Sequence, residues 1–292
     1  LLSRQHSFSD PVLKAAGTRA LIYSQGGKGY QVETYTKTLQ KETLEERIVG
    51  GAICSDGTYA LLTEAEGYLG KVTVYTPENK QRFRYQFSSC YPVAAAVDSG
   101  SDRVLVTGVN AENGTLASMV YLLDMNSGET VAPLATYTDT LLFDASFLPD
   151  GTAVLIGDTQ TVVIPKNGSP VVYAYGGRQL AAYCTGQEKT ALCLLPYENA
   201  GRGDLVLLDA SGKEALSLPL EQNMKSVTMS GNTVAVLGEG TVFAYSMADG
   251  TSRGTARAGT DALAVSLQNE SAVYVLGITE VRLVPLEMGE QS

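Results

Sequence analysis

One unit recurs seven times along this chain and constrains its fold more than any other feature. Each copy has a polar turn followed by a short apolar run, as in SDGTYALLT (Ser55 to Thr63) and PDGTAVLIG (Pro149 to Gly157). These runs start 38 to 49 residues apart, at Ala20, Ala60, Val104, Ala153, Ala191, Val234 and Ala272. A second run follows each first one, at Val32, Val72, Val120, Val162, Leu205, Val242 and Val281. A regular period of about 40 residues is typical of repeat architectures.

Each repeat has the pattern of four β-strands. A strand of small apolar residues comes first, such as VAAAV (Val93 to Val97), and the two apolar runs follow it. The fourth strand is more polar and alternating, as in RFRYQF (Arg82 to Phe87). Turn residues such as Asn167-Gly168 and Asp249-Gly250 separate the third strand from the fourth, and they favour tight hairpins. No segment shows sustained helical periodicity, so the chain is predicted to be all-β.

Seven four-stranded antiparallel units predict a seven-bladed β-propeller. Repeat seven ends near Leu286, after its third strand, whereas about ten residues, Leu1 to Asp10, precede repeat one. We therefore expect the segment around Arg4 to Phe8 to supply the outer strand of the last blade. Residues 1–292 would then form a single domain whose ring is closed by its N-terminal strand.

Composition excludes some classes of function. The chain carries 21 basic and 31 acidic residues, a net charge of −10, which disfavours binding to nucleic acid and to anionic membrane surfaces. No apolar run approaches the roughly 20 residues that a membrane-spanning helix needs. The four cysteines, Cys54, Cys90, Cys184 and Cys193, are too few for a disulfide scaffold. Cys184 and Cys193 lie on consecutive predicted strands, where they either pair or remain two inert core thiols.

The blade units DGTYALLTEAEGYLGKVTVY (Asp56 to Tyr75) and DGTAVLIGDTQTVVIP (Asp150 to Pro165) resemble those of known bacterial propellers. The resemblance is to the quinoprotein alcohol dehydrogenase-like and YVTN-like kind, and more closely to an uncharacterised family with one N-terminal membrane-spanning segment. It covers essentially the whole chain. It implies an extracytoplasmic propeller anchored to the cell membrane by a segment upstream of Leu1, and the missing start methionine is compatible with that. It does not extend to quinone chemistry, because the chain has no tryptophan and no adjacent cysteines.

Catalytic and metal-binding groups are sparse in this sequence. His6 is the single histidine, so the sequence predicts neither a cluster of imidazole metal ligands nor a catalytic residue. No cofactor is predicted, although calcium, which takes oxygen ligands, is compatible with DSGSDR (Asp98 to Arg103). That stretch also fits an ordinary polar turn between two strands.

Tyrosines and loop lengths give the best indication of a binding surface. The chain has 16 tyrosines against 6 phenylalanines, and a tyrosine ring with its polar tip suits a binding surface, although tyrosine also favours strands. The turns between second and third strands are expected to be long in repeats one, two, three and five, and extra loop length often carries function. The predicted ligand- or partner-binding residues are Tyr68, Tyr91, Tyr137, Tyr175, Arg178, Tyr197 and Arg202.

Three functions are compatible with these features. The favoured one is a non-catalytic extracytoplasmic propeller that binds a protein or an envelope-associated ligand. The first alternative is a quinoprotein-like or other small-molecule enzyme that uses the central pocket. The second is a purely structural interaction module, which would expose a large apolar patch instead of a pocket.

Overall fold

The described part of the chain folds into β-sheets. The computed structural model describes residues 7–112 and 114–287. Within these ranges the chain forms 27 strands, and its one helical element is the short 3-10 turn Ser99–Ser101. The strands form seven antiparallel sheets, numbered 1 to 7 in chain order, of which six have four strands and the last has three. The all-β prediction is therefore confirmed.

Strands follow one another across each sheet in the order of the sequence. Sheets 1 to 3 contain β1 (Pro11–Ala16), β2 (Arg19–Ser24), β3 (Gly29–Thr34), β4 (Thr38–Thr43), β5 (Ile48–Ile53), β6 (Tyr59–Ala65), β7 (Tyr68–Tyr75), β8 (Gln81–Phe87), β9 (Tyr91–Asp98), β10 (Arg103–Glu112), β11 (Thr115–Asp124) and β12 (Ala135–Thr138). Sheet 4 contains β13 (Leu142–Phe147), β14 (Ala153–Gly157), β15 (Gln160–Ile164) and β16 (Val171–Ala174).

Sheets 5 to 7 continue the same pattern. They contain β17 (Gln179–Thr185), β18 (Lys189–Leu195), β19 (Gly203–Asp209), β20 (Glu214–Leu220), β21 (Ser226–Ser230), β22 (Thr233–Leu237), β23 (Thr241–Ser246), β24 (Ser252–Arg257), β25 (Ala264–Asn269), β26 (Ala272–Leu276) and β27 (Val281–Pro285). All seven pairs of apolar runs identified in the sequence lie in the second and third strands of their sheets.

The repeated Asp-Gly-Thr sequence forms the same turn in sheets 2 and 4. The carboxylate of Asp56 accepts hydrogen bonds from the backbone N–H (2.8 Å) and the hydroxyl (3.0 Å) of Thr58. Asp150 accepts the same two bonds from Thr152, at 2.8 and 3.1 Å. The glycine between them has a φ of 93° at Gly57, a left-handed conformation in which other residues are strained. The motif therefore recurs because it closes the hairpin between first and second strands.

The chain divides into two compact units. The first comprises Leu1–Phe147 with Leu155–Gly157, and the second comprises Leu148–Val154 with Asp158–Ser292, so the division runs through sheet 4. The organisation of residues 1–292 as a single domain stays a prediction. Between residues 7 and 287, leaving out residue 113, no helix is long and apolar enough to cross a membrane.

Each unit has its own buried core. In the first unit, side chains of sheets 1 and 2 pack together, including Leu21, Val32, Ile48, Tyr59 and Leu61. A second cluster in this unit joins sheets 2 and 3 through Leu62, Val72, Phe87, Val106 and Tyr121. In the second unit, Cys193, Leu205, Leu207, Val234 and Val236 pack between sheets 5 and 6, and Ala235, Leu237, Val265, Val273 and Val275 between sheets 6 and 7.

The predicted long turns in repeats two and three are wrong. Strands β6 and β7 continue to the pair Ala65–Tyr68, and β10 and β11 continue to the pair Glu112–Thr115, so only two residues lie between the strands in each hairpin. The polar residues of these stretches extend the backbone ladder instead of leaving it. The long turn predicted in repeat one is wrong as well, because four residues separate β2 from β3, as many as separate β26 from β27. Repeat five has the long loop that was predicted, the seven residues 196–202 between β18 and β19.

Sheet 7 lacks a fourth strand among residues 7–112 and 114–287. The strand predicted around Arg4 to Phe8 falls mostly on residues 1–6, which lie outside the described residues, and Ser7 and Phe8 are not in a strand. The ring of Phe8 lies against β3, where a Cβ placed on Gly29 would come within 2.7 Å of Cε1 of Phe8. His6 also lies outside the described residues.

Candidate functional site

Three of the seven predicted binding residues come close together at one end of sheet 5. Arg178 lies in the connection from β16 to β17, directly after Tyr175, Gly176 and Gly177. Its Nε donates to the backbone carbonyl of Tyr175 at 2.8 Å, and its Nη1 lies 2.7 Å from Oδ2 of Asp204. Asp204 belongs to β19, which the loop containing Tyr197 and Arg202 precedes. The structure therefore links the connection between sheets 4 and 5 to the long loop of sheet 5.

The guanidinium of Arg178 is held on three sides. Besides the two bonds above, its Nη2 lies 3.3 Å from the hydroxyl of Tyr173, which in turn donates to Glu214 at 2.9 Å. Burial disfavours the charge on Arg178, but the bonds to Tyr173 and Asp204 outweigh it and raise the pKa of the guanidinium. With 29% of its side chain exposed, Arg178 presents a fixed, permanently charged group to solvent.

The seven-residue loop 196–202 carries two exposed side chains on a fixed base. Tyr197 is 62% exposed, and Arg202 is exposed as well. Ala200 is 1% exposed and packs into the core between sheets 5 and 6, which anchors the loop at its centre. Its N–H donates to the carbonyl of Tyr197 at 3.2 Å, and Asn199 takes a positive φ of 56°. The loop carries an exposed aromatic ring and an exposed cation, and it begins next to Leu195, which pairs with Gln179, the residue after Arg178.

Tyr175 is part of the interior rather than of the surface. Its side chain is fully buried, and its hydroxyl lies 2.8 Å from that of Thr161 on β15. Its backbone N–H donates to the carbonyl of Thr159 at 3.0 Å. Because Gly176 and Gly177 both follow with positive φ values, the chain turns sharply after Tyr175 and brings Arg178 back over it. Tyr175 therefore fixes the position of Arg178 and offers no exposed ring.

Tyr91 and Tyr137 share one rung of sheet 3, in the first unit. Tyr91 on β9 pairs with Val109, Val109 with Ser118, and Ser118 with Tyr137 on β12. The hydroxyl of Ser118 donates to the carbonyl of Thr140 at 2.8 Å and accepts from the N–H of Leu142 at 3.0 Å. The segment leading into β13 therefore crosses this rung and separates the two rings.

Tyr68, Tyr91 and Tyr137, the predicted binding tyrosines of the first unit, lie on β7, β9 and β12 in sheets 2 and 3. Tyr91 is 57% exposed, Tyr137 is half-buried, and Tyr68 is 47% exposed at the β6–β7 hairpin. Burial raises the pKa of Tyr137. Sequence reasoning placed these residues correctly near strand ends, but it did not indicate how they relate to the chain that crosses sheet 3.

An ion pair that the sequence analysis did not identify connects two first strands of the first unit. Nζ of Lys14 on β1 lies 3.0 Å from Oδ1 of Asp144 on β13, and the side chains are 41% and 22% exposed. Burial raises the pKa of the adjacent Tyr23 to about 12, and the negative charge of Asp144 adds to that rise. The partners are 130 residues apart, so no local pattern could have indicated the pair.

The two carboxylates of the stretch considered for calcium are engaged by guanidinium groups. Oδ2 of Asp98 lies 2.7 Å from Nη2 of Arg103. Asp102 pairs with Arg82 and accepts from Asn126 at 2.9 Å, and these two bonds lower the pKa of its carboxyl. In the part of the chain that the structure describes, no three histidine, cysteine or acidic side chains are grouped to hold a metal ion.

The cysteines are free thiols in this structure. Cys184 and Cys193 lie on adjacent strands of sheet 5, where Cys193 is opposite Ala182 and Cys184 is opposite Ala191. Burial raises the pKa of Cys184 to about 12, and burial together with Cys184 raises the pKa of Cys193 as well. Burial likewise raises the pKa of Cys90 to about 11. A thiolate is the reactive form, so these three residues are inert near neutral pH.

Solved structures similar to this chain are β-propellers. BamB from Moraxella catarrhalis is 15% identical with a TM-score of 0.56, over 94% of this chain and 96% of that one. Hsv2 from Kluyvelomyces marxianus is 8% identical with a TM-score of 0.62, over 97% and 95%. AztD from Citrobacter koseri is 9% identical with a TM-score of 0.54, over 84% and 71%. At these identities the likeness shows the fold alone, and that fold is a β-propeller.

The sequence also identifies the family. Residues 1–286 match the model of a family of unknown function, DUF5711. The chain therefore belongs to the DUF5711 family. A comparison with curated proteins finds none that matches it.

Proposed function

We propose that this DUF5711 protein is a non-catalytic, extracytoplasmic β-propeller that binds a protein or an envelope-associated ligand. Its binding surface would centre on Tyr197, Arg202 and Arg178 at the end of sheet 5. The observation that carries this proposal is the loop 196–202, the longest connection between second and third strands among the described residues. It presents an exposed tyrosine and an exposed arginine, and the backbone pairing of Leu195 with Gln179 places the start of the loop near Arg178, which is already fixed in place.

The chemistry of these side chains supports a role in recognition. Tyrosine and arginine are enriched among the residues that dominate binding energy at protein interfaces. A side chain that is fixed before binding loses less conformational entropy when the ligand arrives. Arg178, with its three partners, and the loop held by Ala200 both meet that condition. Tyr68 and Tyr91, which are exposed in the first unit, remain further candidates.

The same proposal covers the kind of propeller that the chain forms and its location in the cell. The blade units Asp56 to Tyr75 and Asp150 to Pro165 favour the quinoprotein alcohol dehydrogenase-like and YVTN-like kind, and with it a membrane anchor upstream of Leu1. The proposal also includes closure of the last sheet by the N-terminal segment around Arg4 to Phe8. Fractionation of cells that express the natural gene, followed by protease treatment of intact cells, would locate the propeller directly.

The test of binding compares two matched double variants. Tyr197→Ala with Arg202→Ala removes the exposed pair in the loop, and Tyr35→Ala with Lys37→Ala removes an exposed pair in the β3–β4 hairpin, where Tyr35 is 71% exposed. Wild type and both variants are used as bait in chemical cross-linking with envelope extract, and quantitative mass spectrometry identifies the captured partners. Thermal unfolding is measured in parallel with a panel of envelope glycans.

We expect the hairpin variant to capture the same partner as the wild type and the loop variant to lose it. A ligand at 100 times its dissociation constant stabilises by about 2.7 kcal/mol, and that shift in the glycan arm should vanish in the loop variant. If the loop variant retains every partner and every thermal shift of the wild type, the proposed surface is wrong.

A further inference from the structure

Strand β16, the fourth strand of sheet 4, lies at the outer edge of its sheet. In the ladder that joins it to β15, the N–H of Tyr175 donates to the carbonyl of Thr159 at 3.0 Å. Hydrogen-bonded pairs alternate along an antiparallel ladder, so Tyr173 also directs its backbone groups toward β15. The N–H and C=O groups of Val172 and Ala174 therefore point away from β15, toward solvent.

The side chains along this edge are uncharged and mostly apolar. Val171 and Val172 are 36% and 45% exposed, and Ala174 is exposed as well. An open strand edge is a template for pairing with another strand, and proteins usually blunt it with lysine, other charged residues or proline. The sequence of β16, VVYA, contains none of these. The strand is therefore well suited to pair with a further strand.

Self-pairing of the other fourth strands is disfavoured by their side chains. When two identical antiparallel strands are related by a two-fold axis, the residue at the axis lies opposite its own copy. Strands β4, β8, β20 and β24 all contain charged residues. A register centred on β8, for example, places Arg84 opposite the same arginine, and like charges in that position are destabilising. In β12 the exposed residues are Thr136 and Thr138, which are polar.

We infer that β16 pairs with β16 of a second copy of this chain, antiparallel and about a two-fold axis at Tyr173. In this register Val172 of each copy lies opposite Ala174 of the other, and Tyr173 lies opposite Tyr173. The outward groups of Val172 and Ala174 then exchange their backbone hydrogen bonds on both sides of the axis. Apolar and aromatic pairs across the strands stabilise such a sheet. An uncharged strand favours its own copy over a charged strand of another protein, for which β16 has no counter-charge.

The edge is short, so the dimer should be weak. A stable interface buries about 800 Å² on each partner. The four residues of β16 span about 13 Å, which supplies only part of that area. We therefore expect the chain to be monomeric when dilute and to associate when concentrated. The inference goes beyond the proposed function, since Tyr197 and Arg202 do not belong to β16.

The test is sedimentation equilibrium of the purified chain from about 10 μM to about 1 mM. The wild type is compared with Val172→Lys, which places a charge at the edge, and with Thr138→Lys as the matched control on β12. Asp139 donates its N–H to the carbonyl of Leu116 at 2.9 Å, so the backbone groups of Thr138 also point away from their sheet. We expect Val172→Lys to weaken association at least about tenfold and Thr138→Lys to leave it unchanged.

A compensating variant tests the register. When Val172→Lys is combined with Ala174→Glu, the introduced lysine of each copy lies opposite the introduced glutamate of the other, so association should recover. Hydrogen exchange of the wild type needs no variant. The amides of Val172 and Ala174 should become about tenfold or more protected as concentration rises, whereas those of Val171 and Tyr173, which bond to β15, should not change.

The inference is overturned if the wild type stays monomeric over the whole concentration range. It is also overturned if Thr138→Lys weakens association as much as Val172→Lys does, or if the double variant fails to recover. Protection of Val172 and Ala174 that is independent of concentration would contradict it as well. None of these measurements involves a ligand, so the inference can fail while the binding surface at Tyr197 stands, and the reverse.

Discussion

Sheets 5 and 7 arise from the same repeat, yet they differ sharply in burial. In sheet 5, every residue of β19 from Leu205 to Leu208 is fully buried, so both faces of the strand lie in the interior. In sheet 7, burial alternates along β26: Val273 and Val275 are fully buried, whereas Tyr274 and Leu276 are 39% and 45% exposed. Sheet 5 therefore has two buried faces and sheet 7 has one.

The difference shows which part of the repeat is local and which depends on neighbours. Both sheets have second and third strands paired in register, as the repeated apolar runs require. Sheet 5 packs on sheet 6 on one side, and on the other a Cβ placed on its Gly212 would lie 3.0 Å from Val171 of β16. Sheet 7 packs on sheet 6, and its other face is exposed. Strand formation is thus encoded in each repeat, and burial of the second face comes from the next element.

Removing a leucine should cost far more in sheet 5 than in sheet 7. Leu207 is fully buried, so Leu207→Ala should lower the free energy of unfolding by about 2–5 kcal/mol. Leu283 is 51% exposed, and Leu283→Ala should lower it by less than about 1 kcal/mol. Urea unfolding of both variants, monitored by fluorescence of the tyrosines, measures the two values.

The result for Leu283 tests whether the contrast persists in solution. A loss of about 2 kcal/mol or more would mean that another element covers the exposed face of sheet 7, and the contrast with sheet 5 would then disappear. Repeating the measurement at several protein concentrations distinguishes cover by the same chain from cover by a second copy.

Alkaline pH should affect sheet 5 more than sheet 7, because the half-buried Cys184 and the buried Cys193 lie in sheet 5. The unfolded thiol of Cys184 loses its proton near pH 8.5, but the folded one does so near its raised pKa of about 12. Between these values the unfolded state binds fewer protons, so stability is intact below about pH 8.5 and falls as the pH rises. The slope is about 1.36 kcal/mol per pH unit for one group.

The variant Cys184→Ala isolates this effect. Its free energy of unfolding, measured from pH 8 to pH 11, should decline less steeply with pH than that of the wild type. The two slopes should differ by up to about 1.36 kcal/mol per pH unit, the value for one titrating group. If the free energy of unfolding falls equally steeply with pH in the variant and in the wild type, the pKa of Cys184 is not raised in the folded state and the prediction is wrong. The matched control is Cys54→Ala, because Cys54 follows β5 in sheet 2 and its thiol donates to Asp56 at 2.6 Å.

Much of the fold could be predicted from local patterns. The apolar runs at Leu205 and Val281 identified third strands, because alternation and turn residues act over a few neighbouring positions. Polar stretches were harder to interpret, and Val109 to Ser118 was expected to be a loop although Val109–Glu112 pairs with Thr115–Ser118 in the ladder of β10 and β11. Backbone pairing satisfies the N–H and C=O groups whichever side chains they carry, so polarity alone does not exclude a strand.

The candidate site was predictable only in part. Arg178 and Tyr197 were singled out from their positions between strands, but Asp204, which joins their two segments, gave no signal in the sequence. The Lys14–Asp144 pair joins residues 130 positions apart, and such contacts follow from the packing of whole sheets. Tyr175 shows the ambiguity of its residue type, because tyrosine suits both a buried strand end and an exposed binding surface.

Neutralising one acidic residue at each of the two sheets tests whether the contrast between them extends from the apolar faces to the ion pairs. Asp204 pairs with Arg178 in sheet 5, and Asp261 pairs with Arg282 in sheet 7, at 2.7 and 2.8 Å. Arg178 is also held by Tyr173 and the carbonyl of Tyr175, so Asp204→Asn disturbs a network and should lower stability by about 1 kcal/mol after allowance for solvent screening.

The variant Asp261→Asn should give a similar shift of the thermal midpoint, because Asp261 and Asp204 are 36% and 35% exposed and Arg282 also keeps other partners, Glu280 and the carbonyl of Ala258. Both shifts should shrink at 1 M salt. Differential scanning fluorimetry at low and high salt measures both variants. A clearly larger shift for Asp204→Asn would mean that the partners of Arg178 are coupled more strongly than those of Arg282, and the expected equality would be wrong.

The smallest effects are expected from removing single hydroxyl groups near the end of sheet 5. Tyr175→Phe deletes a buried hydroxyl that lies 2.8 Å from Thr161, and it should lower stability by about 0.5–1 kcal/mol. Tyr197→Phe deletes a hydroxyl on a side chain that is 62% exposed, and it should change stability by less than about 0.5 kcal/mol. The effect on binding should have the opposite order: Tyr197→Phe should weaken partner capture more than Tyr175→Phe does, because Tyr197 belongs to the proposed surface and Tyr175 only positions Arg178. If Tyr175→Phe weakens partner capture more than Tyr197→Ala does at equal folded fraction, the position of Arg178 governs recognition and the exposed ring does not.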